Sequence, residues 1–339
     1  MAKYVVYHAD PLEVLGDAPI ERAALAEIDA ELRMLEPGMS PGELAEALPE
    51  ADAVLVTRAP INATVMAALR NCKVVVRYGV GVDTLDLEAA TEHGIVCAHV
   101  PDFCMEEVAN HALMHMLAAV RKLIPQDRAV REGGWRDGLT LQPMLQLYGQ
   151  TVGLVACGNI GQAFAKRAQA LSMRVIAYDP YIDPSVPAAL GIELIESLED
   201  LLRQSDVVSL HTPATPETRQ MINAERLSQM KPTAYLVNTA RGSIVDQPAL
   251  IDALERGVIA GAGLDVFEEE PWVSDSPLRT MDNVVHTPHS ASYSDASYER
   301  LSTRVGQSVV HVLTGHWPRF VANKGILEQL DLAECPDPA

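Results

Sequence analysis

The sequence predicts an α/β protein built as two doubly wound, parallel-sheet domains. Three observations carry this. The chain has 339 residues, enough for two separate cores. Strand-like and helix-like runs alternate along most of it. The stretch from residue 149 to 179 reads strand, glycine turn, helix, strand, acid.

The elements follow in order. Residues 3–8 read as a strand, and 21–35, rich in Ala, Leu and Glu, as a helix. Helices at 41–48, 62–69 and 87–93 alternate with strands at 53–57, 73–77 and 95–99, and a glycine turn, Tyr78 to Asp83, follows the 73–77 strand. Val100-Pro101-Asp102 breaks the pattern before a long apolar helix at 106–123, which reads as a crossover. Residues 131–150 lack periodicity and read as an extended arm at a subunit interface. Beyond 150 the expected strands are 151–156, 173–178, 207–210, 234–238, 261–266 and 284–286. The expected helices are 160–171, 198–203, 224–229 and 246–255. A last long helix at 295–313 would return the chain to the first domain, and the tail after 332 reads as loose. The domains are therefore 1–101 with 295–339, and 102–294.

Composition narrows the function. A net charge of −20, from 46 acids and 26 bases, argues against binding nucleic acid through its phosphates. No apolar run is long enough to span a membrane. Five cysteines without CxxC spacing, behind a start with no signal-peptide pattern, suggest free thiols and a cytoplasmic location.

The 149–179 stretch has specific physics. The N–H groups and positive dipole end of its helix suit a pyrophosphate. Gly158 lets the backbone approach it, and Gly161 lets helix and strand pack closely. Asp179 can accept hydrogen bonds from both ribose hydroxyls and repels a 2′-phosphate, so the unit reads as an NAD site rather than an NADP site. Ala156 replaces the first glycine of G-x-G-x-x-G, a change that a negative φ would tolerate.

Four later loops follow strand-like runs, where open parallel sheets bind ligands. They hold His211-Thr212-Pro213, Asn238 to Gly242, Asp265 to Pro271, and Thr287-Pro288-His289. Read singly, Arg241 is a surface cation, Glu268 to Glu270 a solvated acidic run, and His289 an ordinary histidine. His111 and His115, spaced i,i+4, could pair on a metal, but no HExxH acid accompanies them and helix packing is the expectation; no metal is expected. Cys157 reads as a small buried residue.

Taken together, RYGVGVDTLDLEAA, NTARGSIVD, AGLDVFEEEP, NVVHTPHSASYSDAS and TGHWPRFVANK make the chain resemble the D-isomer-specific 2-hydroxyacid dehydrogenases, and within them the C-terminal binding protein branch. The resemblance implies two Rossmann-like domains with a cleft between them, a homodimer joined through the cofactor domains, and a small 2-hydroxy or 2-oxo acid as substrate. It implies Arg241 on the substrate carboxylate and carbonyl, His289 as acid/base, and Glu270 orienting the imidazole and favouring its charged form. It also implies Asn159 and Ile160 by the pyrophosphate, and Thr212, Pro213 and Thr218 by the adenine ribose. Thr239, Ala240 and Asp265 would flank the nicotinamide, with Asp265 reaching its carboxamide. Backbone N–H groups of Tyr78, Gly79, Val80 and Gly81 would bind the substrate carboxylate. Ser292 stands where the animal members of that branch carry a pocket tryptophan, which widens the expected substrate range. The same branch implies an alternative, an NAD(H)-sensing dimer that recruits peptides. A phosphorylated substrate is a third reading, with Arg58, Arg77 and Lys73 as its available cations.

Overall fold

The computed structural model describes residues 2–11, 16–135, 141, 144–272 and 275–336. The chain divides into two compact units, Met1–Phe103 with Ser294–Ala339, and Cys104–Tyr293. Among the described residues no helix is long and apolar enough to cross a membrane.

Unit 1 holds β1 (Tyr4–His8), α1 (Pro19–Ala26), β2 (Ala30–Met34), α2 (Pro41–Ala47), β3 (Ala53–Val56), α3 (Ala63–Ala68), β4 (Val74–Arg77), α4 (Leu87–Glu92) and β5 (Val96–Ala98). Its five strands are all parallel, in the order β2-β1-β3-β4-β5. Helices α2, α3 and α4 cover one face through Leu44, Leu48, Val65, Met66, Ala89 and Ala90, packed on Val54, Val56, Val75 and Cys97. The long C-terminal helix of the chain, Asp295–Leu313, belongs to this unit and packs on α1 and β4. Gly306 lets it come close to α1, since a Cβ there would lie 3.0 Å from that of Ala24.

One expected helix is wrong. Residues 21–35 do not form a single helix, because α1 ends at Ala26 and Ala30–Met34 is a strand. Asp29, at φ 57°, reverses the chain, and its carbonyl accepts the Lys3 N–H. Pairing of Tyr4–His8 with Ala30–Met34 outweighs the helix propensity of the Ala, Leu and Glu residues.

Unit 2 contains α5 (Met105–Val120), α6 (Leu123–Arg131), β6 (Thr151–Val155), α7 (Asn159–Ala170), β7 (Arg174–Tyr178), α8 (Ser185–Ala189), β8 (Glu193–Leu194), α9 (Leu198–Gln204), β9 (Val207–Leu210), α10 (Ala224–Gln229), β10 (Tyr235–Asn238), α11 (Gln247–Glu255), β11 (Gly261–Leu264) and β12 (Val284–His286). All strands are parallel, ordered β12-β11-β10-β9-β6-β7-β8. The order reverses beside β6, and that switch point is where such sheets bind ligands. Strand residues alternate between two cores. Val152, Leu154, Val175, Ala177 and Val237 meet α5 and α7. Val155, Ile176, Val208, Leu210, Leu236 and Leu264 meet α9, α10 and α11.

The expected 106–123 helix stops at Val120, and Lys122 at φ 51° starts α6. Helix α8 and the two-residue β8 were not expected. Residues 136–140, 142 and 143 of the expected 131–150 arm lie outside the described residues. The tail is not loose throughout, because Ala333 accepts the Trp317 N–H and donates to Gly315 O.

Candidate active site

The glycine turn sits at the switch point. Ala156 donates its N–H to Tyr178 O at 2.9 Å, so the turn continues from the β6–β7 edge. Its φ is +72°, so the condition under which alanine would be tolerated without strain is not met. Gly161 is obligatory, since a Cβ there would lie 2.7 Å from Ala156 O. Gly158 has an ordinary φ of −69° and open space around a Cβ, so nothing in the chain itself requires glycine there. It caps α7 without a side chain, and the first helical bond runs from Gln162 N to Gly158 O. The N–H groups of Asn159, Ile160 and Gly161 therefore lack intrahelical partners and are available to an anion. Asp179, just past β7, accepts the Cys157 N–H at 2.9 Å and the Tyr181 N–H at 3.0 Å. Cys157 is buried, which pushes its thiol up to about 11 and makes it unreactive.

Ala156→Gly is expected to gain up to about 1 kcal/mol in denaturant unfolding, because an alanine in the left-handed region costs roughly 1–2 kcal/mol and glycine's chain entropy offsets part of that. It should alter the Kd for NADH more than kcat. A larger effect on kcat would mean that the turn does more than hold phosphate.

On the remaining cofactor side, Thr212 is buried and Pro213 exposed. Thr218 shapes the loop: its hydroxyl donates to Pro213 O at 2.7 Å and accepts the Thr215 N–H at 2.8 Å. Thr239 Oγ1 is buried and has no partner among the described residues. An orphaned hydroxyl after β10 and unpaired N–H groups at α7, after the strands that flank β9, fit a dinucleotide.

Arg241 follows β10 on a turn held by Asn238, whose side chain accepts the Ala240 N–H at 3.0 Å and donates to Arg241 O at 2.9 Å. Arg241 donates from Nη1 to Ala240 O at 2.8 Å. Gly242 has no alternative, because a Cβ there would lie 1.8 Å from Phe267 O. That close crossing sets the Arg241 loop against the loop carrying Glu270. Glu270 accepts the Phe267 N–H on Oε1 at 3.0 Å and meets His289 Nδ1 with Oε2 at 2.6 Å. One carboxylate oxygen thus fixes the carboxylate and the other fixes the imidazole. With Nδ1–H donated to Glu270, Nε2 is the nitrogen left to give or take a proton. Glu268 and Glu269 are exposed and take no part in that pair.

Asp265 has no exposed surface. Its Oδ1 accepts the Ser290 N–H at 2.9 Å and the Thr287 hydroxyl at 2.5 Å, and its Oδ2 accepts the Ala291 N–H at 3.0 Å. Its carbonyl accepts the His289 N–H at 2.7 Å. The carboxylate expected at the nicotinamide carboxamide is employed in building the His289 turn. Thr287 in turn meets Nε2 of both His111 and His115. Asn238, Thr287, His111 and His115 are the residues around this centre that sequence reasoning left without a role there; only the i,i+4 spacing of the two histidines hinted at one.

In unit 1, the expected carboxylate loop is corrected at one position. Tyr78 cannot offer its N–H, which donates to Val56 O at 2.8 Å. Its ring stacks on His8 at 5.0 Å and its hydroxyl donates to Glu21 at 2.8 Å. No hydrogen bond from the N–H groups of Gly79, Val80 or Gly81 forms among the described residues. Gly79 holds φ 133°, a value that needs glycine. The carbonyls are tied, Gly79 O by Val100 N–H and Val80 O by His99 Nδ1, which turns the loop's donors the other way.

Comparison with known proteins agrees with this geometry. The family model described as "D-isomer specific 2-hydroxyacid dehydrogenase, NAD binding domain" matches residues 113–291. D-3-phosphoglycerate dehydrogenase of Methanocaldococcus jannaschii is 40% identical over 299 residues, 88% of this chain and 56% of that protein. The chain thus spans just over half the length of that relative. Glyoxylate reductase of Korarchaeum cryptofilum is 42% identical over 273 residues, 79% of this chain and 81% of that protein. The structure of an NADPH-dependent glyoxylate/hydroxypyruvate reductase from Sinorhizobium meliloti, in complex with NADP and malonate, matches with a TM-score of 0.84 at 30% identity, over 95% of this chain and 97% of that one. Strand order, glycine turn, the Glu270–His289 pair and these relatives converge: the chain belongs to the D-isomer-specific 2-hydroxyacid dehydrogenase family.

Proposed function

We propose that the protein is an NAD-dependent oxidoreductase that interconverts a D-2-hydroxy acid and its 2-oxo acid. The observation that carries this is the Glu270–His289 contact of 2.6 Å beside the Arg241 turn, in the same unit as the cofactor turn. Relatives named as reductases and dehydrogenases favour catalysis over peptide recruitment.

Bound nicotinamide supplies or accepts the hydride. Arg241 offers a planar cationic fork to the carboxylate and polarises the carbonyl. His289 holds a proton on Nε2 and delivers it to the carbonyl oxygen in reduction, or removes it in oxidation. Glu270 keeps the ring in the tautomer and orientation that this transfer needs. Gly79, Val80 and Gly81 add backbone donors for the carboxylate. Asn159, Ile160 and Gly161 bind the pyrophosphate, Thr212 and Pro213 lie by the adenine ribose, and Thr239 and Ala240 lie by the nicotinamide. A homodimer is part of the proposal, supported by Leu123 and Val130 of α6, 53% and 56% exposed, and Trp135, 73% exposed. So is a cytoplasmic location, supported by five free cysteines.

The test is NADH oxidation across a panel of 2-oxo acids, compared by kcat/KM. The panel includes a phosphorylated member, because Arg58 is exposed just after β3 and relatives at 40–42% identity are named D-3-phosphoglycerate dehydrogenase. Failure with every member would defeat the reading.

Cofactor choice rests on Asp179. Asp179→Ser is expected to raise the NADPH-to-NADH ratio of kcat/KM at least about tenfold, since like charges at ~4 Å repel by about 4 kcal/mol near a protein surface. An unchanged ratio would remove Asp179 from cofactor selection.

A further inference from the structure

His111, His115 and Asp265 are grouped as a metal site would be, with their ligand atoms within 4.8 Å of one another. The point they share is already filled. Thr287 Oγ1 lies 2.8 Å from His111 Nε2, 2.9 Å from His115 Nε2 and 2.5 Å from Asp265 Oδ1. These are hydrogen-bond lengths, well beyond the roughly 2.0–2.2 Å of zinc–ligand bonds.

A hydroxyl has one proton and two acceptor sites. Burial raises the Asp265 pKa, but the hydrogen bonds from His111, Thr287, Ser290 and Ala291 outweigh it and hold the group below its ordinary range. The carboxylate is therefore ionised and only accepts, so the Thr287 proton points to it. Both imidazoles must then donate from Nε2. His115 is fully buried and pushed down to about 4, by burial first and His111 second, so it is neutral and its Nδ1 carries no proton. That nitrogen has no partner among the described residues. Gly263 makes room for this ring, since a Cβ there would lie 2.7 Å from His115 Cβ.

We propose that Thr287, clamped between His111 and His115, is a positioning residue that fixes the Asp265 carboxylate on the Ser290 and Ala291 N–H groups, next to the His289 N–H on the Asp265 carbonyl, and so aims the acid/base histidine. His289 sits in the left-handed region, at φ 51°, and Asp265 supplies the hydrogen bonds that stabilise it there. The chain of contact runs from α5 through Thr287 and Asp265 to the turn, all within unit 2. The groups facing Asp265 are His111 and His115 from α5 and Thr287 after β12; His286 at the end of β12 acts on His115.

The sign of the pH dependence follows. A depressed carboxylate pKa contributes stability above its unfolded value, and that contribution is lost as pH falls through the folded value. Removing the Thr287 donor raises the folded pKa, so the loss begins at higher pH.

The catalytic part of this inference rests on the proposed dehydrogenase activity; the structural part does not. The experiment compares wild type, Thr287→Val and Thr287→Ser. In Thr287→Val, kcat/KM should fall about ten- to a hundredfold, the scale of a small misplacement of a reacting group. The loss should lie mainly in kcat, with NADH binding retained and the acid limb of the pH profile moved to higher pH. Thr287→Ser should recover most of the activity and the wild-type limb. Nitrogen-15 NMR should show a proton on Nε2 of both His111 and His115 in wild type, with His115 as the neutral tautomer, and that pattern altered in Thr287→Val. In thermal unfolding, the stability that Thr287→Val loses relative to wild type should be larger at neutral pH than at acid pH, where protonation removes the contribution of Asp265 from wild type as well. A wild-type kcat/KM and acid limb in Thr287→Val would overturn the proposal, as would equal losses in the Ser and Val variants. If wild type reduces no 2-oxo acid, the dehydrogenase reading falls, and the tautomers and acid stability alone decide this one.

Discussion

His289→Ala is expected to lower kcat for 2-oxo acid reduction by about 10²–10⁴-fold, the usual worth of a positioned general acid. The Kd for NADH should hardly change, because the proposed dinucleotide contacts lie on α7 and after β10. The reason is geometric. Nδ1 is bound to Glu270 Oε2 at 2.6 Å, and Glu270 is itself anchored by the Phe267 N–H at 3.0 Å. The ring cannot turn without breaking a charge-assisted bond. Its Nε2 is left for chemistry, and alanine removes that proton donor without unpairing a buried group, since both side chains are partly exposed, 34% and 26%. Glu270→Gln should cost less than His289→Ala but still depress kcat, since an amide can replace the hydrogen bond and not the charge. Steady-state and single-turnover rates with saturating NADH check both. A His289→Ala enzyme with near-normal kcat and a raised KM would make His289 a binding residue and defeat the acid/base role.

The resemblance picked out the proposed catalytic residues, and periodicity made most of the elements legible. Parallel central strands leave runs such as Val207 to Leu210, buried on both faces, and these stand out in any sequence. Edge elements do not. Ala30–Met34 has the composition of a helix and becomes a strand only because β1 is there to pair with it. Glu193–Leu194 is two residues long and gives no periodic signal. The site shows the same division. Residues proposed to face ligands belong to short ordered motifs, so Arg241, Glu270 and His289 could be picked out. Residues that hold those groups in place are ordinary types in ordinary runs. Asn238 looks like the end of a strand, and His111 and His115 look like helix packing. Their roles depend on which strand ends lie side by side, Asn238 beside Leu264 and Leu264 beside His286, and that information is tertiary. Ala156 is a third kind of miss. Its identity alone left its φ open, and the structure places it at +72°, in the region where alanine is strained.

Arg241→Ala should reduce kcat/KM by on the order of 10²–10⁴, because two charge-assisted hydrogen bonds to a carboxylate contribute roughly 1.5–3 kcal/mol each. Unlike His289→Ala, it should raise KM for the 2-oxo acid as well as lower kcat, since the guanidinium serves both the bound carboxylate and the carbonyl as charge develops on it. The backbone around it should survive the change. Asn238 holds the turn through Arg241 O and the Ala240 N–H, and Gly242 fixes the crossing with Phe267, none of which uses the arginine side chain. The change removes the bond from Nη1 to Ala240 O at 2.8 Å, on a partly exposed residue. Activity should fall by far more than any change in stability, which denaturant unfolding checks. Arg241→Lys separates charge from shape. A lysine restores the positive charge but not the planar fork, so it should recover KM in part and kcat hardly at all. Measured against a panel of 2-oxo acids, the loss should be uniform across substrates, because every member presents the same carboxylate and carbonyl. A loss confined to one substrate would place Arg241 on that substrate's side chain, and the catalytic assignment would have to pass to another cation.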